Sequence, residues 1–139
     1  MSLSNKVIWV TGASSGIGKA LAIALSTKNV KLVLSSRNIE ALESVKNLCK
    51  EPKNVHIIPL DLEDFNSLKE KANLAINAFG HVDILVNNTQ GPKAGGALEQ
   101  TISDYQAAFD LLFKCAVQTT SLALPHMQKQ RWGRIINVA

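Results

Sequence analysis

Thr11-Gly12-Ala13-Ser14-Ser15-Gly16-Ile17-Gly18 is the stretch on which the fold turns. Before it, Lys6-Val7-Ile8-Trp9-Val10 is an unbroken apolar run, the mark of a strand covered on both faces. After it, Gly16 to Thr27 reads as a helix. Three glycines at such a junction put backbone where side chains would normally stand. Gly12 lets the chain turn sharply off the strand. Gly16, with no Cβ, lets an anion such as a pyrophosphate come close to the backbone, and Gly18 lets the helix pack against the sheet. The helix start adds unpaired N–H groups and a positive dipole end, and Ser14 and Ser15 add hydroxyl donors. A glycine pattern alone is a tight turn as often as a ligand cradle; its place between a strand and a helix favours the cradle.

Outward from this loop, the chain alternates short apolar runs with longer helical segments. Lys31-Leu32-Val33-Leu34-Ser35, Val55-His56-Ile57-Ile58-Pro59, Asp83-Ile84-Leu85-Val86-Asn87 and Arg134-Ile135-Ile136-Asn137-Val138 read as strands two to five. Ile39 to Lys50 repeats apolar residues at Leu42, Val45 and Leu48, with Asn38 placed to cap it. Phe65, Leu68, Ala72, Ala75, Ile76 and Phe79 share one helical face, ended by Gly80. A long helix is expected from about Ser103 to Gln130, with Tyr105, Phe109, Leu112 and Ala116 in one apolar stripe and Pro125 bending or interrupting it. Strict β/α alternation predicts one doubly wound domain over residues 1–139. Its sheet is parallel, in the order 3-2-1-4-5, with a ligand crevice at the carboxyl ends of strands one and four.

The composition suits a globular domain. Of 139 residues, 46% are hydrophobic and 19% charged, and the net charge is +4. Two cysteines, Cys49 and Cys115, are too few and too far apart for a disulfide scaffold or a zinc knuckle, and read as reduced thiols. No apolar run approaches the ~18 residues of a membrane span, and Met1 to Lys6 lacks a signal-like apolar stretch. A cytoplasmic location with no membrane partner is therefore expected. His56, His81 and His126 show no metal-ligand spacing, and no metal site is expected from them. Basic clusters at Lys50–Lys53 and Lys129–Arg134 lack a recognition motif and few aromatics accompany them, so nucleic-acid binding is not expected.

The order Thr-Gly-x-x-x-Gly-x-Gly, Asp61-Leu62 after strand three, Asn87-Asn88 after strand four, and Gly133-Arg134-Ile135-Ile136-Asn137-Val138 resembles the short-chain dehydrogenase/reductase family along the whole chain. Asn87-Asn88-Thr89-Gln90-Gly91-Pro92 is similar to a subgroup of 3-oxoacyl-carrier-protein reductase-like members. The resemblance implies a Rossmann-type domain binding a nicotinamide dinucleotide. Gly12, Ser14, Ser15, Gly16, Ile17 and Gly18 would lie at the diphosphate. It implies that Asp61 and Leu62 flank the adenine and that the Asn88 backbone approaches the ribose. From the residues alone, the plainer alternative for Asp61 is a helix N-cap or a turn carboxylate before the third helix. Strand two ends in Ser35-Ser36-Arg37. Ser36 stands where an NAD site carries an acid, and Arg37 can grip a 2′-phosphate bidentately, so NADP(H) is favoured over NAD(H). A solvated arginine at a strand end is the plainer alternative.

The family's chemistry uses Ser, Tyr and Lys, with Tyr-x-x-x-Lys on one helix. The one tyrosine, Tyr105, is followed four residues later by Phe109 and precedes strand five, whereas the family's Tyr follows it. The family's Ser would fall past Ala139, and its helical Asn aligns with Leu112. No catalytic residue is assigned, and these 139 residues are predicted to be inactive by themselves. They look like the amino-terminal cofactor part of a carbonyl–alcohol oxidoreductase that lacks the later strands and helices. A shortened chain, a remainder elsewhere, a natural truncation, and a non-catalytic nucleotide-binding or sensor domain all stay open. The resemblance also implies a homo-oligomer, a dimer or tetramer built through the long helix and the helix after strand five, only the first of which lies within these residues.

Overall fold

A computed structural model describes residues 2–138. Five strands, β1 (Val7–Thr11), β2 (Lys31–Ser36), β3 (Val55–Pro59), β4 (Ile84–Asn87) and β5 (Arg134–Asn137), form one sheet in the order β3-β2-β1-β4-β5, every pairing parallel. The helices between them are α1 (Gly16–Ser26), α2 (Ile39–Leu48), α3 (Phe65–Asn77), α4 (Ile102–Phe109) and α5 (Cys115–Lys129). This is the doubly wound, Rossmann-type sheet that the alternation predicts.

Strand alternation divides the core in two. Ile8, Val10, Leu32, Leu34 and Val86 point toward α1 and α2, packing on Ala22, Leu42 and Val45. Val7, Trp9, Val33 and Leu85 point the other way, onto Leu68 and Ala72 of α3 and Ala123 and Met127 of α5. Each fully buried Val or Leu contributes about 1.5–3 kcal/mol relative to exposure. Trp9 sits between Val33 and Leu85 with no exposed surface, and its indole N–H donates to Ser35 Oγ at 3.0 Å. The one polar atom of the deepest side chain is thus satisfied.

Asp83 ties the amino ends of the sheet together. Its Oδ2 accepts from Val7 N–H at 2.9 Å, and its main chain bonds Val7 and Arg134. Burial pushes its carboxyl up, but the bonds from Val7 and Gln130, with His81 and Lys6 beside it, outweigh burial and hold it below the usual carboxylate range. Asn38 caps α2 as expected, accepting from Ala41 N–H at 2.9 Å.

The long helical segment departs from expectation in three ways. It runs through Pro125 to Lys129 uninterrupted. The only carbonyl Pro125 frees is that of Ser121, an exposed residue that water can serve. Between α4 and α5 lies a π-helical turn, Asp110–Lys114. And Tyr105, Phe109 and Leu112 face solvent, while Leu111, Cys115, Thr119, Ala123 and Met127 are the buried stripe. Two apolar faces compete on this helix, and aromatic size favoured the wrong one. Ile102–Lys129 is also long and apolar enough to cross a membrane by length and composition, with an 18-residue window of mean hydropathy 1.2. Counting uninterrupted apolar residues missed it, because Thr, Ser and Gln break the run without lowering the average below that mark.

Candidate functional site

At the carboxyl ends of β1, β2 and β4 the loops enclose a cavity of about 450 Å³. Of the ten residues expected at a cofactor, nine line it: Gly12, Ser14, Ser15, Gly16, Ile17, Arg37, Asp61, Leu62 and Asn88. Gly18 does not. A Cβ on Gly18 would stand 2.3 Å from the Gly12 carbonyl oxygen, so this glycine allows the helix to sit against its own entry loop rather than against the sheet.

The other two glycines have different work. Gly12 has φ +59°, and a Cβ there would meet the Asn88 carbonyl oxygen at 2.5 Å; the β1 loop lies directly on the β4 loop. Gly16 has φ +52°, and a Cβ there would meet nothing within 4 Å. It opens on a space that a side chain would fill. Ser15 is the α1 N-cap, yet its hydroxyl makes no capping bond. Ile17 leaves 63% of its surface exposed at the rim. Open backbone at a left-handed glycine, an unused hydroxyl and a helix start with no acidic residue in its first turn fit an anionic, partly apolar ligand such as a dinucleotide.

Asn88 is held by its neighbours. Its N–H donates to Thr11 Oγ1 at 2.9 Å, Thr11 Oγ1 donates to its carbonyl at 2.8 Å, and its amide donates to Gly12 O at 3.1 Å. It therefore ties the two loops together as well as lining the cavity. Asn87 ties β4 to α5 and β5, accepting from Thr119 Oγ1 at 2.7 Å and donating to Asn137 Oδ1 at 2.9 Å. Asp61 is a turn carboxylate ahead of α3 and not its cap. Its Oδ1 accepts from Glu63 N–H at 2.9 Å, and Asp64 caps α3 instead. Leu62 reaches the cavity with its carbonyl engaged by the Cys115 thiol at 2.7 Å. Burial, and after it the Asp110 carboxylate, pushes that thiol up to about 11, so it is an inert donor and no nucleophile.

Arg37 is at the rim, in an ion pair with Glu63 at 3.1 Å. The sequence gives no warning of this partner, because Glu63 and Arg37 meet only when β2 and β3 lie side by side. Thr11 was also missed as a site residue; it reads as the end of a strand, and its hydroxyl network exists only once β4 is beside it. A second cavity of about 420 Å³ adjoins the first at Thr11, Leu62 and Thr89 and runs under Leu112 and Phe113 to Asn137.

The family model for short chain dehydrogenases matches residues 6–139. This chain belongs to the short chain dehydrogenase family. It is 38% identical over 141 residues to the human protein named Dehydrogenase/reductase SDR family member 7, covering 98% of this chain and 42% of that relative. Its fold superposes on a short-chain dehydrogenase from Streptomyces avermitilis with a TM-score of 0.89 at 32% identity, over 100% of this chain and 50% of that one. YwfH, described as an NADPH dependent reductase involved in bacilysin biosynthesis, matches with a TM-score of 0.88 at 32% identity, over 96% of this chain and 54% of its own. The chain thus spans about half the length of the relatives it matches. It corresponds to the nucleotide-binding portion of a short chain dehydrogenase/reductase.

Proposed function

We propose that this chain supplies the NADP(H)-binding part of an enzyme that interconverts a carbonyl and an alcohol. The observation that carries the reading is Arg37 on the wall of the same cavity as Gly16, one residue after Ser36. A serine there leaves the ribose 2′ position without a repelling carboxylate, and the guanidinium offers a charge-assisted fork to a 2′-phosphate. Amides at the α1 start and the Ser14 and Ser15 hydroxyls hold the diphosphate. Asp61 accepts from the adenine amino group, Leu62 lies beside the ring, and Asn88 positions the ribose. The nicotinamide, when bound, supplies or takes the hydride.

The residues for proton transfer are not assigned within this chain. Tyr105 donates its hydroxyl to Ala97 O at 3.0 Å and lies outside both cavities. The 139 residues alone are expected to bind the dinucleotide without turnover. The whole protein acts on a small carbonyl or alcohol, and a 3-oxoacyl thioester is the first substrate class to assay, given the Asn87–Pro92 resemblance. It is read as cytoplasmic.

A second reading, a non-catalytic nucleotide sensor, is favoured by Leu112. It occupies the place of the family's helical Asn, in the π-helical turn and on the wall of the second cavity, where it has no polar group to order a water. Coding sequence beyond Ala139 separates the two: a Ser followed by Tyr-x-x-x-Lys favours the enzyme. Calorimetry with NADPH and NADH tests the cofactor reading. NADPH is expected to bind about 10- to 100-fold tighter, the worth of a charged hydrogen bond, and Arg37→Asp to remove that preference. An unchanged preference in the variant overturns it.

A further inference from the structure

At the opposite end of the sheet, three side chains from distant parts of the chain converge. His81 follows α3, Asp83 precedes β4, and His126 lies in the last turns of α5. One ligand atom of each lies within 4.8 Å of the other two. His81 Nε2 is 3.2 Å from Asp83 Oδ2, and the two imidazoles stack with centroids 4.5 Å apart. His126 Nε2 is buried and has no hydrogen-bond partner among the described residues. A buried ring nitrogen without a partner costs free energy, and such groups in native proteins are normally paired or bound to something.

We propose that His81, Asp83 and His126 bind one divalent transition-metal ion of the zinc class. Two imidazoles and a carboxylate are the donors such ions prefer, whereas calcium and magnesium take oxygen donors. Metal–ligand bonds of 2.0–2.1 Å at tetrahedral angles set neighbouring ligand atoms about 3.3 Å apart, close to the His81–Asp83 separation. Closing the widest gap requires a shift of about 1.5 Å, and the stacked rings must also turn about their side-chain torsions, since each nitrogen binds an ion in its own ring plane. Asp83 is already oriented for the role, since Val7 N–H and the Gln130 amide, at 2.9 and 3.0 Å, fix its two oxygens. Lys6, the nearby cation, lies over the Trp132 ring at 4.0 Å, and its charge still acts on Asp83. A fourth position is left for water.

The site lies a whole strand away from the dinucleotide cavity, roughly 16 Å along β4, so the ion acts on structure. It joins the α3–β4 turn to the end of α5, which makes its binding energy part of the folding energy. The test uses the purified chain stripped with chelator, titrated with zinc chloride by calorimetry and with Co²⁺ as an optical probe. One ion per chain is expected, with a Kd below about 10 μM and the visible absorption of tetrahedral Co²⁺. His81→Gln and His126→Gln are each expected to weaken binding about 10- to 100-fold. His56→Gln, on an exposed strand residue outside the cluster, leaves it unchanged. Circular dichroism checks each variant; if His126→Gln does not fold, the comparison of His81→Gln with His56→Gln decides. No binding at 100-fold higher zinc, or binding that survives loss of the cluster histidines, overturns the proposal.

Discussion

Arg37 and Glu63 meet at 3.1 Å with half of each side chain in water. An exposed ion pair is worth about 0–1 kcal/mol, too little to stabilise the fold but enough to compete with a ligand. Before Arg37 can grip a 2′-phosphate it must share its guanidinium with, or release, the carboxylate, and that carboxylate also repels the incoming anion. Glu63→Gln is therefore expected to raise NADPH affinity up to about fivefold and to leave NADH affinity unchanged. Fluorescence titration of both nucleotides reads this, and equal gains for both would contradict it. The glycines separate fold from binding at the same scale. Gly16→Ala puts a methyl into open space at a left-handed φ, costing about 1–2 kcal/mol, while placing that methyl in the cradle. Gly12→Ala bears the same strain and drives a Cβ into the Asn88 backbone, so it is expected to cost more than about 3 kcal/mol. Chemical denaturation ranks the two; Gly16→Ala should remain folded yet lose NADPH binding. The loop's place at the cavity was legible in the sequence because glycine has few other reasons to recur at a strand-to-helix junction. Gly18's true neighbour was not, since contact with Gly12 depends on how the helix settles.

Among the elements, strands were more legible than the helix facing solvent. Runs such as Val7–Val10 are fixed by continuous apolar character, which only a doubly covered strand needs, and every residue of β1 is buried. The α4–α5 segment carries apolar residues on two faces, so its pattern alone could not say which one meets the sheet. Caps were read in part: Asn38 was visible, but Asp61 and Asp64 are both acids ahead of α3, and only the fold selects Asp64. Its carboxylate accepts from Asn66 and Ser67 N–H, and the Ser67 hydroxyl donates to it at 2.7 Å. The Ser67 hydroxyl first, then the Ser67 backbone, holds this carboxyl below its ordinary value. Since the folded group is the stronger acid, its stabilisation is present above the unfolded value of ~3.9 and is lost as the pH falls through the lower folded value. Asp64→Ser keeps a capping oxygen but removes the titration. Acid unfolding followed by circular dichroism should show a shallower loss of stability below about pH 4 for the variant than for the parent. Identical acid limbs would assign that loss to other carboxylates.

On the scale of the molecule, sheet order followed from β/α alternation and the right-handed crossover rule, which leave few topologies open. What alternation cannot convey is which side chains from distant segments meet, and so the convergence of His81 with His126 was invisible in their spacing. It also cannot show what a helix leaves uncovered. Ile102, Phe109, Phe113 and Val117 recur at helical intervals along α4–α5, each about half exposed or more, with Phe113 and Val117 also on the wall of the second cavity, and Phe109 stacks on Phe113 at 5.2 Å. Isolated apolar residues on a surface are ordinary, but a contiguous stripe of this kind in water favours association. A second copy meeting the stripe with its own stripe would satisfy a two-fold interface and would give the homo-oligomer that the family resemblance implies. Sedimentation velocity across a concentration series should show a reversible dimer. Phe109→Lys, which touches neither cavity, should weaken that dimer tenfold or more, or about 1.4 kcal/mol, because two charges would be set face to face in an apolar contact. NADPH affinity should be unaltered in the same variant. A wild-type chain that remains monomeric at every concentration, or a dimer indifferent to Phe109→Lys, would place the contact elsewhere.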